Sequence, residues 1–255
     1  MRHLVVGIGS IGARHVANIH RLFPDHYVAT VDNDPAKNAT YSAFVPKSAY
    51  EDALVYICTP TSQHLIDLGM AISSGAKAVF IEKPLAEAGI VIEPKPNIPV
   101  VCAYQYRFHP IIRQLALNPP DSLHIAAMDN LLSRYGPTAL TTMASHAIDY
   151  ALYINGPAKN WMTSDRGRIA DISIMHTSGR ETVIYCNIDY KEGRILQLQV
   201  GRREEYELLE VPPLDSMYED EFRAWIRYVE TGSPGNLCLW DDAMLVQEIM
   251  NGSKV

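Results

Sequence analysis

The sequence predicts an α/β protein in two parts, a doubly wound parallel sheet at the N-terminus followed by an α+β domain with a largely antiparallel sheet. Three observations predict it. Up to about residue 105, short apolar runs alternate with helix-length segments. A glycine-rich turn, Gly7-Ile8-Gly9-Ser10-Ile11-Gly12, joins the first run to the first helix. Beyond it the pattern changes to runs of strand period separated by turn residues.

The N-terminal elements follow in order. Leu4 to Val6 is the first strand, Ile11 to Leu22 the first helix and Tyr27 to Val31 the second strand. Leu54-Val55-Tyr56-Ile57-Cys58 is apolar on both faces, as a central parallel strand covered by helices would be. It stops at Thr59-Pro60-Thr61-Ser62, where a hydroxyl can cap a helix over 63–74, and Gly75 closes that helix. Ala78 to Ile81 and Val100 to Tyr104 are two further buried strands, with the Pro94 to Pro99 loop between them. The βαβαβ order gives a doubly wound sheet over residues 1–105.

Residues 106–255 form the second domain. Thr142 to Tyr153 has the pattern of an amphipathic helix. From Trp161 onward, strand-period runs cover Ile169 to Met175, Thr182 to Tyr190 and Arg194 to Val200, and Ser178-Gly179 and Glu192-Gly193 between them are hairpin signals. Helices over 216–230 and 241–250 finish the chain, free to pack back on the first domain. There is no internal repeat.

Composition excludes several classes of function. The 255 residues carry a formal net charge of −7, and no basic stripe is present, which argues against nucleic acid as a partner. The apolar stretches are strand-sized, too short to span a bilayer, and the first strand begins at once, so the expectation is a soluble, cytoplasmic protein with no membrane partner. Cys58, Cys102, Cys186 and Cys238 are widely scattered without a C-x-x-C pair, which argues against a metal site or a disulfide framework and for small buried hydrophobes.

The glycine turn carries a phosphate demand. Gly7 permits the tight turn, Gly9 lets backbone approach a pyrophosphate, and Gly12 lets the helix lie close to the strand. Asp32 ends the second strand. A carboxylate there accepts hydrogen bonds from the adenosine ribose hydroxyls and repels a 2′-phosphate, so the cofactor is NAD ahead of NADP on a Rossmann-type sheet. Glu82-Lys83-Pro84 follows the fourth strand, at the carboxyl end of the sheet where open α/β folds bind ligands. Burial and an oxidised nicotinamide would both disfavour the Lys83 ammonium and suit it to proton transfer; the plainer alternative is a solvated lysine before a turn proline.

Gly7 to His15, Cys58-Thr59-Pro60-Thr61-Ser62-Gln63-His64, Glu82-Lys83-Pro84-Leu85, Tyr104 to Pro110 and Ser145-His146-Ala147-Ile148-Asp149-Tyr150 resemble, in order and spacing, the Gfo/Idh/MocA oxidoreductases. Nearly the whole chain is covered, and the branch it is most similar to is that of small sugar dehydrogenases of surface-polysaccharide pathways. The resemblance implies that Gly7, Gly9, Ser10, Ile11, Gly12 and Asp32 hold the dinucleotide, and that Thr59, Pro60, His64, Glu82 and Lys83 line its nicotinamide side. It makes Lys83 the first candidate for proton transfer and His146 the general acid/base or the donor orienting the reacting oxygen. A core histidine is the alternative for His146. Tyr104 and Arg107 would reach the substrate, with Arg107 either a carboxylate or phosphate clamp or an interdomain ion pair, and Asp149 is structural. The implied reaction is hydride transfer between nicotinamide C4 and a hydroxyl or keto carbon of a sugar, nucleotide sugar or polyol, in a homodimer or homotetramer assembled on the second sheet.

The chain departs from that pattern in two ways. Thr142 stands where many relatives place an aspartate one turn before the histidine. The chain is also short after Asp32, between Lys83 and Val100, and between Ile112 and Thr142. These departures keep two other readings open, a non-catalytic dinucleotide-binding protein and a reductase of a tetrapyrrole or imine.

Overall fold

The computed structural model describes residues 1–42, 44–93, 95–130, 138–192, 194–203 and 205–254. Contacts divide the chain into two units. One comprises Met1–Ala86, Ile92–Ala103 and Glu219–Trp240, the other Glu87–Val91, Tyr104–Tyr218 and Asp241–Val255. The chain thus changes unit at Ala103/Tyr104, and residues 219–240 return to the first.

The first unit is built on a six-stranded sheet. Its strands are β1 (Arg2–Val6), β2 (Tyr27–Val31), β3 (Leu54–Ile57), β4 (Ala78–Glu82), β5 (Val100–Ala103) and β12 (Cys238–Leu239), in the order β12-β5-β4-β3-β1-β2. All pairs are parallel except β12 with β5. The strand order reverses between β1 and β3, the topological switch point of a doubly wound sheet. Helices α1 (Ser10–Leu22), α2 (Lys47–Tyr50) and α3 (His64–Ser73) belong to this unit. A 3₁₀ turn, Thr61–Gln63, precedes α3, and Pro60 at its start supplies no side-chain cap in place of the expected hydroxyl.

Alternation along β1, β3 and β4 sends His3, Tyr56 and Phe80 to one face, where Phe222 and Trp225 cover them. A polar chain runs through this apolar layer. The Trp225 indole N–H can only donate, and it donates to the Tyr56 hydroxyl at 3.2 Å. That hydroxyl is then free to donate to His3 Nδ1 at 3.0 Å, leaving His3 Nε2–H to donate to His26 Nδ1 at 2.9 Å. A neutral imidazole satisfies every link; an imidazolium leaves the Tyr56 hydroxyl proton without its acceptor at Nδ1.

The second unit carries the other six-stranded sheet: β6 (Ser122–Met128), β7 (Ala158–Asp165), β8 (Ile169–His176), β9 (Glu181–Asn187), β10 (Ile195–Arg202) and β11 (Glu205–Glu210), ordered β11-β10-β6-β9-β8-β7. Four of its pairs are antiparallel and β6 with β9 is parallel. The Ser178-Gly179 hairpin forms between β8 and β9, with Gly179 at φ +81°. Glu192-Gly193 corrects the expectation. Gly193 lies outside the described residues, and β9 and β10 are not partners, because β6 enters between them. Helices α4 (Pro110–Leu117) and α5 (Ser145–Asn155) belong to this unit, and a π-turn over Leu140–Ala144 leads into α5 where a continuous helix was expected. Helices α6 (Asp215–Thr231) and α7 (Trp240–Met250) close the chain. All four cysteines are buried free thiols, and no helix among the described residues is long and apolar enough to cross a membrane.

Burial, with His26 beside it, lowers the His3 pKa from 6.5 to about 3. The native protein therefore keeps His3 neutral where the unfolded chain protonates it. Stability from this group is fully present above pH 6.5 and falls as pH drops towards 3, by about 1.4 kcal/mol one unit below the unfolded pKa. Between about pH 7.5 and about pH 5.5 the unfolding free energy of the wild type, measured in urea, is expected to fall by about 1.4 kcal/mol more than that of His3→Gln. Equal losses would mean that His3 titrates normally in the native state.

Candidate active site

Backbone geometry makes the glycine turn. Gly7 follows β1 with φ +86°, and a side chain there would strike the carbonyl of Cys58 at 2.8 Å. A Cβ on Gly12 would lie 1.9 Å from the Gly7 carbonyl oxygen, so only glycine lets α1 rise this close to the strand. Gly9 is the opposite case, with nothing within 4 Å of its Cβ position. Helix α1 starts there without a side-chain cap or an acidic residue in its first turn, so the amides of Ser10, Ile11 and Gly12 present an anion site. These features fit a pyrophosphate.

Asp32 stands beside that turn. Its Oδ2 accepts from the Ile8 amide at 2.8 Å and its Oδ1 from the Asp34 amide at 2.9 Å. The carboxylate is thus held in place at the end of β2, the position from which ribose hydroxyls are read.

Two further turns leave the same edge. After β3, the Thr59 hydroxyl donates to Asp67 Oδ2 at 2.6 Å, and burial raises the Asp67 pKa. His64, in the first turn of α3, is 1 % exposed and lies between the carbonyl oxygens of Thr59 (2.9 Å from Nε2) and Pro84 (2.8 Å from Nδ1), to one of which the neutral ring donates. Burial holds its pKa below the ordinary imidazole value, against the pull of both carbonyls. His64 therefore stands beneath the turns it was expected to line, tying Thr59-Pro60 to Glu82-Lys83-Pro84. Lys83 is half-buried and precedes a cis proline. Glu82 accepts from His15 Nε2 at 3.2 Å, a contact for which sequence reasoning had assigned His15 no role.

In the second unit, His146 is the second residue of α5 and is half-buried. Tyr104 and Tyr106 pack nearly perpendicular to its ring, with centroids 5.8 and 5.3 Å away and planes at 82° and 76°. Both tyrosines are buried, and the Tyr106 hydroxyl accepts from Arg194 at 2.8 Å. Thr142, in the aspartate's place, donates to the Thr138 carbonyl at 3.0 Å. Aromatic rings pack the imidazole.

Arg107 is held in a buried ion pair. It is 5 % exposed, its Nε donates to both Asp149 oxygens at 2.9 and 3.1 Å, and its NH1 donates to Asp242 at 2.9 Å. Tyr153 lies over the guanidinium, 5.3 Å away. All these partners belong to the second unit, so the pair is internal to it. No residue spacing distinguished the two roles; burial does.

The glycine turn, the switch point and the carboxylate held beside them are the features of a dinucleotide-binding Rossmann-type fold. Residues 1–92 match the model of the Gfo/Idh/MocA oxidoreductase family, described as having an NAD-binding Rossmann fold. No curated protein sequence matches significantly. The whole chain shares its fold with solved dehydrogenases. A probable dehydrogenase from Thermotoga maritima is 18 % identical, with 96 % of this chain and 93 % of that one covered at TM-score 0.75. The WlbA dehydrogenase from Thermus thermophilus, in complex with NAD and UDP-GlcNAcA, is 15 % identical over 98 % and 94 % of the two chains at TM-score 0.77. A scyllo-inositol dehydrogenase from Lactobacillus casei, with NAD(H) and scyllo-inositol bound, is 13 % identical over 98 % and 94 % at TM-score 0.77.

Gly9→Ala is expected to fold with an unchanged melting temperature yet bind NADH at least about tenfold more weakly, whereas Gly12→Ala also loses about 1–3 kcal/mol of stability by overpacking. Nicotinamide fluorescence and thermal unfolding separate the two. Arg107→Met leaves Asp149 buried without its countercharge and should cost about 3–5 kcal/mol in unfolding free energy. A loss confined to substrate affinity would return Arg107 to the substrate site.

Proposed function

We propose that the protein is an NAD-dependent dehydrogenase acting on a hydroxyl or keto carbon of a sugar, nucleotide sugar or related polyol. The observation that carries the reading is the row of turns at the carboxyl edge of the first sheet: an anion-ready glycine turn, a fixed Asp32 and Lys83 at the end of β4. The substrates bound in the solved WlbA and scyllo-inositol dehydrogenases support the substrate class.

When bound, NAD supplies the hydride chemistry at its nicotinamide C4. Asp32 receives ribose hydroxyls and the α1 amides receive phosphates, so this chain's part is to fix the ring's position. Lys83 moves the hydroxyl proton of the substrate carbinol. His146, packed against Tyr104 and Tyr106, is the second candidate for holding or exchanging a hydroxyl proton. Tyr104 forms the floor beneath His146.

A second copy of the chain belongs to the same reading. Met162, Val183 and Leu208, all exposed, lie in one cross-strand row with Ser173, His124 and Gln199 on the outer face of the second sheet, which supports a homodimer or homotetramer.

Lys83→Met and His146→Ala are each expected to lower kcat by about 10²–10⁴-fold on the turned-over sugar while NADH binding is retained. A screen of nucleotide sugars and polyols by NADH absorbance identifies that substrate first. Unchanged turnover in Lys83→Met would remove Lys83 from proton transfer.

A further inference from the structure

The register of the first sheet aligns the ends of four strands. Val31, Val6, Ile57 and Ile81 pair across β2, β1, β3 and β4, so the residues that follow, Asp32, Gly7, Cys58 and Glu82, form a row. With neighbouring strands about 4.8 Å apart, the row is about 14 Å long. On the cofactor reading above, a dinucleotide laid along it has its adenosine ribose at Asp32, its pyrophosphate at the glycine turn and its nicotinamide end over Thr59 and Glu82-Lys83.

Glu82 shares a face of the sheet with Tyr56 and Phe80, and His15 of α1 packs there. The imidazole stands edge-on to Phe80 with centroids 5.3 Å apart, and it is 1 % exposed. Its Nε2 donates to Glu82 Oε1 at 3.2 Å, while its buried Nδ1 has no hydrogen-bond partner among the described residues. An aliphatic side chain would fill this slot between two aromatic rings without burying an unsatisfied nitrogen, which carries a desolvation cost. The contact with Glu82 is what a histidine adds here. At the other end of the same turn, His64 holds the Pro84 carbonyl.

We infer that His15 is a positioning residue for the nicotinamide end of the cofactor: it fixes the Glu82 carboxylate, and with His64 it sets the turn that carries Lys83. The inference rests on the dinucleotide reading, and its test separates the two. His15→Leu removes the hydrogen bond while keeping an apolar filler, and His15→Gln restores an N–H donor near the place of Nε2. Binding is measured with NADH and with ADP, which lacks the nicotinamide riboside. The expected result for His15→Leu is an NADH Kd raised about tenfold with the ADP Kd unchanged, and His15→Gln regains most of the NADH affinity. Should His15→Leu fail to fold, His15→Asn, whose shorter amide does not reach Glu82, takes its place with the same expectation. Equal weakening of both ligands, or no change in either, would make His15 a packing residue and overturn the inference while the cofactor reading stands. Wild-type protein that binds neither ligand would overturn the cofactor reading and this inference with it.

Discussion

In the turn after β1, backbone packs directly on backbone. Gly12 lies against the Gly7 carbonyl, and Gly7 against the Cys58 carbonyl, so the turn after β1 is wedged between α1 and the end of β3 with no room for a methyl group. Other features depend on that wedge. It lets α1 leave the strand at once, which brings His15, one turn into the helix, onto Tyr56 and Phe80 within reach of Glu82. It also presents the Ile8 amide to Asp32, so a single turn both offers helix amides to an anion and locks the carboxylate beside it. A larger residue at position 12 would move the helix, and every contact its first turns make would move with it.

Histidine is the connector of this unit for a physical reason. A neutral imidazole offers one donor and one acceptor on opposite sides of a flat, largely apolar ring, so it can join two elements through a packed layer where a charged side chain would be costly to bury. His3 joins the Tyr56–Trp225 pair to His26 in this way, while His64 stands between the carbonyls of Thr59 and Pro84 and donates its one N–H to one of them. Burial lowers the pKa of both rings. The second unit uses a different connector for Asp149, which is fully buried on α5 and charged: the planar Arg107 guanidinium reaches both its oxygens and extends to Asp242 of α7.

How much of this was legible in the sequence depended on how far local pattern and tertiary demand agreed. The cores of β1, β3, β4 and β5 could be read because central parallel strands are apolar on both faces, and the edge strand Tyr27–Val31 because it is rich in β-branched and aromatic residues. Strand β6 went unread: its inward residues Leu123, Ile125 and Ala127 alternate properly, but Ala126 beside Ala127 and an exposed His124 dilute the signal. Its insertion between β9 and β10 is a long-range pairing that no turn residue announces. Strand β11 is an exposed edge with little apolar alternation, and β12 has two residues. In the site, the glycine turn and Asp32 were legible because backbone geometry restricts residue type at those positions. His64, Arg107 and His15 were visible as residues, but their roles were set by burial and by partners tens of residues away.

The aligned strand ends explain why so few residues carry the site. Parallel strands in register finish together, so the residue after each is delivered to one edge without any loop having to be long or specially shaped. The chain can therefore shorten its connections while the row from Asp32 to Glu82 persists, because that row is specified by sheet register and by the glycine wedge. The residue on α5 is specified differently. His146 depends on ring packing from Tyr104 and Tyr106 and on the π-turn that precedes α5, and Thr142 satisfies its hydroxyl on the helix backbone. A carboxylate one turn before a histidine would orient the ring by charge and favour its protonated form. Here the rings of Tyr104 and Tyr106 hold the imidazole by shape instead.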